Sequence, residues 1–156
     1  MANVCRKVGF NIYTMAKTSR GLRNNNPGNI RLSSTRYQGE VDSTDSAFKQ
    51  FKTMAHGYRA MFVLLYTYQK KHKLHTIEAM ISRYAPAVEN HTRAYIEAVS
   101  EWSGVPATSH ITTTNGDIMV PVVAAMSRVE NGVFANMSDV VEGWDMFIRD
   151  YRNNKV

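Results

Sequence analysis

Residues 23–32 read R-N-N-N-P-G-N-I-R-L, and the rest of the chain is organised around them. Three successive asparagines, followed by Pro27, Gly28 and Asn29, combine residues that initiate turns with residues that tolerate left-handed backbone. No helix or sheet ladder is expected to continue through this stretch. Asparagine amides offer donors and acceptors without charge, which suits a surface that grips the hydroxyl and acetamido groups of a neutral glycan. A solvated turn that closes a helix is the alternative interpretation.

The length of 156 residues fits one domain over residues 1–156, with residues 1–20 as a candidate N-terminal extension. The single Cys5 cannot form an internal disulfide, so packing alone must stabilise the fold. No apolar run approaches the roughly 20 residues that span a bilayer, and no apolar stretch of secretory-signal length follows the first basic residues. We therefore expect a protein made in the cytoplasm, for which any target outside the cell would be reached after lysis, through a delivery machine or in a virion.

Positive charge is concentrated at the start of the chain. The formal net charge is +6, and no Asp or Glu occurs before Glu40. This balance favours polyanions, which include nucleic acid and the anionic bacterial wall. A solvated basic face is the alternative to an anion groove. Because no nucleic-acid-binding motif is present, nucleic acid is not the expected partner.

Hydrophobic periodicity predicts an α+β fold that is mostly helical. A small hairpin or three-stranded sheet is expected near the N-terminal third, from residues 30–32, 36–41 and 48–51. Helices are predicted over residues 3–17, 54–71, 76–84, 90–103, 117–130 and 137–151. Tyr95 and Trp102 are predicted to lie in the core.

Carboxylates are the candidate catalytic groups. No Ser-His-Asp spacing, glycine-rich phosphate loop or Cys nucleophile is present, and His72 and His75 lack further ligands at metal-site spacing. No metal or other cofactor is therefore expected. Glycoside cleavage needs one carboxylic acid whose pKa is raised by an apolar setting. Glu130 fits this role because it closes a strongly apolar helix near Gly132, although an exposed position at a helix end is the alternative.

Two other carboxylates remain candidates. Glu40 lies on the predicted hairpin beside Tyr37, where it could stabilise charge or orient water in a cleft; a sheet surface is the alternative. Glu89 lies with Asn90 at a predicted helix start, where both could contact substrate, although capping the helix is the commoner task there.

Six short motifs, in this order, resemble a family of phage and prophage proteins often labelled virion or structural proteins. The motifs are R-N-N-N-P-G-N-I (23–30), Y-Q-G-E (37–40), F-K-Q-F (48–51), G-Y-R-A (57–60), R-Y-A-P with E-N-H-T (83–86 and 89–92) and V-E-N-G (129–132). The resemblance covers most of the chain from about residue 20 onward. It implies a lysozyme-like domain of the peptidoglycan glycosidase superfamily.

Residues 23–65 also resemble, more distantly, the flagellar-type wall glucosaminidases, whose acid Glu ends a helix upstream of the asparagine turn. That position is empty here, because no carboxylate precedes Glu40. The helix that ends in S-R-V-E-N-G at 127–132 is similar to the helix that ends in the acid Glu of goose-type lysozymes and lytic transglycosylases. A circular permutation would place Glu130 at the equivalent position, and folds with neighbouring termini tolerate such a rearrangement.

The leading hypothesis is a lysozyme-like domain that cleaves the peptidoglycan strand by hydrolysis or by intramolecular transglycosylation. Glu130 would be the acid, and Glu40 would stabilise charge or orient water. The residues predicted to contact the glycan are Asn25, Asn26, Asn29, Tyr37, Glu89 and Asn90. The rival hypothesis is a catalytically inactive phage structural or wall-binding protein with partners in the virion or the delivery machine.

Overall fold

A computed structural model describes residues 19–86 and 89–156, with the backbone alone described at residues 89 and 90. The elements within these ranges are α1 (Arg20–Arg23), β1 (Glu40–Val41), β2 (Gln50–Phe51), α2 (Met54–His72), α3 (Ile77–Tyr84), α4 (Glu89–Ser103), α5 (Gly116–Asn131) and α6 (Met137–Arg152). The predicted α+β class with mostly helical content is confirmed. The helix predicted over residues 3–17 lies outside the described residues, and the single domain over residues 1–156 stays a prediction.

The sheet is smaller than the three-stranded alternative. β1 and β2 pair antiparallel, with Glu40 opposite Phe51. The predicted third strand contributes one isolated bridge, between Arg31 and Phe48. The segment of residues 24–30, here called the asparagine loop, also bonds to β2. The N–H of Phe51 donates to the carbonyl of Asn24 at 2.9 Å. Backbone groups of β2 are thereby satisfied by an irregular loop in addition to a strand.

Local capping signals set the ends of several helices. The hydroxyl of Thr76 accepts a hydrogen bond from the N–H of Ala79 and so caps α3, as predicted. Asn136 caps α6 by accepting from two backbone N–H groups. Gly132, with a φ of 73°, ends α5 in the left-handed conformation that glycine adopts without strain.

The core forms around α2, which packs along α6. The rings of Phe62 and Trp144 lie 5.0 Å apart edge to face, and those of Phe62 and Phe147 lie 6.2 Å apart. Tyr95 is buried as predicted, whereas Trp102 is 42% exposed and carries the guanidinium of Arg128 at 3.9 Å from its ring centre. The prediction of a core position for Trp102 is therefore wrong: the ring stays at the surface, where it packs against a cation.

Gly57 is the point where α2 and the asparagine loop approach most closely. A Cβ atom added there would lie 2.1 Å from the carbonyl oxygen of Asn25 and 2.5 Å from Cδ of Pro27. We expect Gly57→Ala to lower the free energy of unfolding by about 1–3 kcal/mol, because backbone must move to admit the methyl group. Urea denaturation measures the change. Ser82→Ala, on the exposed surface of α3, is the control and should shift stability by less than about 0.5 kcal/mol; equal effects of the two substitutions would contradict the prediction.

Candidate active site

The asparagine loop is built into the fold instead of being solvated. Asn26 has no exposed surface, and its side-chain nitrogen donates to the carbonyls of Ile30 and Lys49 at 3.0 and 2.9 Å. Its side-chain oxygen accepts from the N–H of Ile30 at 2.9 Å. Asn25 donates to the carbonyl of Phe51 at 3.1 Å. Both predicted sugar contacts therefore use their amide donors to hold the loop to the sheet region, and Asn26 keeps no surface to offer a ligand.

The last turn of α5 is bonded directly to this loop. The side-chain nitrogen of Asn131 donates to the carbonyl of Pro27 at 2.8 Å and to that of Ser127 at 2.9 Å. The hydroxyl of Ser19 donates to the side-chain oxygen of Asn131 at 2.6 Å. These bonds fix the end of α5, and with it Glu130, against the loop.

Asn29 and Glu130 are in direct contact although 101 positions separate them. Nδ2 of Asn29 donates to Oε1 of Glu130 at 2.9 Å. Asn29 has a φ of 47°, in the left-handed region that asparagine tolerates better than most residues. The structure thus brings together Glu130, the predicted acid, and Asn29, one of the predicted glycan contacts.

The environment of Glu130 favours its protonated form. Burial raises the pKa of Glu130 above its ordinary value, while hydrogen bonding from Asn29 and Tyr95 and the charge of Arg31 oppose that rise without cancelling it. The hydroxyl of Tyr95 lies beside the carboxylate but makes no hydrogen bond of good geometry with any described residue. A carboxyl group in this setting keeps its proton to a higher pH than an exposed glutamate, which is what a general acid requires.

Glu130 lines a cleft of about 500 Å³ between the asparagine loop and helices α2 to α4. Four tyrosines line the same cleft: Tyr37, Tyr68, Tyr84 and Tyr95. The hydroxyl of Tyr84 donates to the carbonyl of Gly28, which fixes this ring, and burial raises the pKa of Tyr37 to about 12. Among the described residues that line the cleft, Glu130 is the one carboxylate. Sequence reasoning assigned Tyr95 to the core and missed Tyr68 and Tyr84, because core and cleft aromatics share the same helical spacing.

Glu40 does not line this cleft and has another partner. Its Oε1 accepts from Nζ of Lys49 at 2.9 Å and from the N–H of Tyr37 at 3.2 Å. Lys49 is fully buried and also donates to the carbonyl of Thr35 at 2.7 Å. The Glu40–Lys49 pair therefore holds the segment that carries Tyr37 into the cleft.

Glu89 and Asn90 begin α4, and their side chains lie outside the described part of the structure. The next two residues, His91 and Thr92, line the cleft. The start of α4 therefore borders the site, and the substrate contacts predicted for Glu89 and Asn90 stay predictions.

The hydrogen bond from Asn29 should be measurable as a shift in the titration of Glu130. Removing the amide should raise the pKa of Glu130 further, because this bond stabilises the charged carboxylate. Asn29→Gly keeps a residue that tolerates the left-handed backbone. We expect the midpoint of the Glu130 carboxyl titration, followed by carbon-13 NMR, to move to higher pH.

The control for this experiment is Asn25→Gly. Asn25 has a φ of 49°, close to that of Asn29, but its side chain bonds to Phe51 and not to Glu130. This variant should leave the Glu130 midpoint in place. A lower midpoint in Asn29→Gly, or equal shifts in both variants, would show that the amide of Asn29 does not act on the carboxylate.

The described residues contain no group of three or more His, Cys, Asp or Glu side chains that could hold a metal ion. His75 instead stacks on His110, with ring centres 4.7 Å apart, and its Nδ1 lies 3.1 Å from the side-chain nitrogen of Gln69. Within the same ranges, no helix combines the length and the apolar character needed to cross a membrane.

The chain is similar in sequence to a known phage protein. No protein-family model matches the chain. Over 120 residues it is 40% identical to protein P5 of Pseudoalteromonas phage PM2, and the alignment covers 74% of this chain and 73% of that protein. This similarity supports the phage origin implied by the sequence motifs. It says nothing about a lysozyme-like fold or a glycosidase activity.

Proposed function

The chain belongs to the family of protein P5 of Pseudoalteromonas phage PM2, and from this premise and the cleft around Glu130 we propose that it is a phage-encoded, lysozyme-like enzyme that cleaves the glycan strand of peptidoglycan. The observation that carries the proposal is the largely buried carboxyl group of Glu130, which has a raised pKa and lines a cleft rich in tyrosine. The protein would act at the cell wall, as a virion component or after delivery or lysis.

In this proposal Glu130 acts as the general acid. Its proton passes to the glycosidic oxygen as the bond to the anomeric carbon breaks, and positive charge develops on the sugar ring. Hydrolysis usually employs a second carboxylate in the same cleft, and the described lining residues supply none. Intramolecular transglycosylation needs one group only. The deprotonated Glu130 would take a proton from a hydroxyl of the same sugar, whose oxygen then attacks the anomeric carbon. Because the described lining residues supply one carboxylate, transglycosylation is favoured over hydrolysis.

The other cleft residues would position the strand. Tyrosine rings offer apolar faces to sugar rings and hydroxyl groups to their polar edges. Asn29 would hold the carboxyl group of Glu130 in place, and the hydroxyl of Tyr95, which lies beside this carboxyl group, would help to orient it. Glu40 would act through Lys49 by stabilising the wall that carries Tyr37. Glu89, at the start of α4, is the remaining candidate for a second carboxylate.

A catalytically inactive virion or wall-binding protein is the second candidate. The similarity to a phage protein favours it more directly than it favours an enzyme, because the similarity bears on origin and not on chemistry. In this case Glu130 would be a buried partner of Asn29, and the cleft would bind a glycan without cleaving it.

Release of dye from labelled cell-wall sacculi separates the two candidates. The purified protein should release soluble fragments, and mass spectrometry should show products that lack one water molecule relative to hydrolysed ends if transglycosylation occurs. Cosedimentation with the sacculi without release would support the inactive candidate. If the protein neither cosediments with the sacculi nor releases dye from them, both candidates are overturned.

A further inference from the structure

A second cleft, of about 740 Å³, adjoins the cleft of Glu130. The two clefts share four wall residues, Thr35, Tyr37, Leu64 and Tyr68. A polymer that lies in the first cleft therefore passes within one side chain of the second. A branch of that polymer on this side would lie next to the second cleft.

The second cleft is strongly basic. Its cationic lining residues are Arg36, Arg59, Lys71, Arg83 and Lys155. Asp150 is the one carboxylate among the described side chains of the lining, and it is bound to Arg59 at 2.9 Å with both side chains largely buried. That pair is neutral and leaves an excess of positive charge around it.

Three of these cations have no carboxylate within ion-pair distance among the described residues: Lys71, Arg83 and Lys155. The guanidinium of Arg83 lies 5.3 Å from the ring centre of Tyr68, so this cation stands at the wall shared by the two clefts. A guanidinium held by an aromatic ring presents its fork of donors in a fixed plane, which matches the geometry of a carboxylate.

We propose that this basic cleft binds the free carboxylates of the peptide branches carried by a peptidoglycan strand. The inference rests on the proposed function, because it needs the strand to lie in the cleft of Glu130. Neutral sugars give unpaired cations no counter-charge, whereas the carboxylates of a branch supply one. The cleft would thus make the protein prefer peptide-bearing strands to bare glycan.

Calorimetric titration of the full chain tests this preference with three probes. They are a glycan strand stripped of peptide by an amidase, the same strand with its peptides, and the free acidic peptide. We expect the peptide-bearing strand to bind about 3- to 10-fold more tightly than the stripped one, with a difference that shrinks as salt is added. The free peptide should bind weakly and with the same salt dependence.

Paired charge-removing variants locate the effect. Lys71→Gln/Arg83→Gln should abolish the difference between the two strands; any effect of the lost Arg83–Tyr68 contact on the first cleft would change the affinity for both strands alike. Lys70→Gln/Arg93→Gln removes the same charge from the same helix α2 and from α4, at positions that line neither cleft, and should keep the difference. Loss of the difference in both pairs would show a general charge effect and overturn the inference.

The failures of the two proposals give different results. Equal affinity of the unaltered protein for both strands at low salt overturns the basic subsite and leaves the proposed function standing. Binding of neither strand overturns the proposed function, and the subsite with it. Displacement of the peptide by an oligonucleotide of equal charge, at equal or lower concentration, would identify a general polyanion surface and overturn the assignment to carboxylated branches.

Discussion

Replacement of Glu130 by glutamine is expected to reduce the release of wall fragments by at least about 100-fold, the usual contribution of a general acid. Glutamine keeps the shape of the side chain, and its amide oxygen can still accept the hydrogen bond that Asn29 donates at 2.9 Å. It cannot give a proton to the glycosidic oxygen. The measurement is the initial rate of dye release, with circular dichroism of the same samples to show that the fold is retained.

Glu40→Gln is the matched carboxylate control. It leaves the buried ammonium of Lys49 without its carboxylate, so the melting temperature should fall. The rate per folded molecule should fall far less than in Glu130→Gln, because Glu40 does not line the cleft and acts on it only through the segment that carries Tyr37. An unchanged rate of dye release in Glu130→Gln, or a larger loss of rate per folded molecule in Glu40→Gln, would contradict the assignment of Glu130 as the acid.

Glu130→Gln should also change how stability depends on pH. Folding raises the pKa of Glu130, so the folded state disfavours the charged carboxylate relative to the unfolded state. The contribution of Glu130 to the stability of the unaltered protein therefore falls as pH rises from the unfolded pKa, about 4.3, towards the higher folded pKa. Glutamine does not titrate. The melting temperature of the variant minus that of the unaltered protein should therefore increase with pH across this window. A difference that stays constant with pH would contradict the raised pKa of Glu130.

Asn26→Ala is expected to cause the largest loss of stability from a single polar truncation. Asn26 makes three buried hydrogen bonds, two as donor to the carbonyls of Ile30 and Lys49 and one as acceptor from the N–H of Ile30. Truncation leaves the carbonyl of Lys49 and the N–H of Ile30 without a partner, at about 1–3 kcal/mol each, whereas the carbonyl of Ile30 keeps the N–H of Lys49 at 2.9 Å. We expect the free energy of unfolding to fall by about 3–5 kcal/mol, measured by urea denaturation.

Asn153→Ala is the control for this prediction. Asn153 is exposed at the end of α6, and its replacement should change stability by less than about 0.5 kcal/mol. Comparable losses in the two variants would show that the buried bonds of Asn26 do not stabilise the loop. Loss of stability in Asn26→Ala with intact dye release per folded molecule would further separate the structural task of Asn26 from substrate contact.

The helices could be predicted from the sequence because their signals are local. The glycine after α5 and the threonine before α3 act within one turn of their own positions. The burial of Lys49 could not be predicted in this way. The F-K-Q-F pattern of residues 48–51 is the same whether the ammonium of the lysine faces water or protein oxygen atoms. Here it meets three oxygens, which come from Ser33, Thr35 and Glu40.

The candidate site was predictable only in outline. A polar loop and an apolar helix ending in Glu130 are visible in the sequence, and resemblance assigned them to one site, but the contact between them through Asn29 was not predicted. The division of tasks within the loop was not visible. Asn25, Asn26 and Asn29 are the same residue type within five positions, and only tertiary contacts decide which amide meets backbone and which meets a carboxylate.

The contact between Asn29 and Glu130 has a consequence for the cell that makes the protein. Closing a loop of this length costs chain entropy and depends on contacts distant in sequence, so the contact exists only once the intervening chain has folded. In the unfolded chain Glu130 is a solvated glutamate with the ordinary pKa of that side chain. The raised pKa therefore belongs to the folded molecule alone, and under the proposed function a nascent or misfolded chain would lack the general acid.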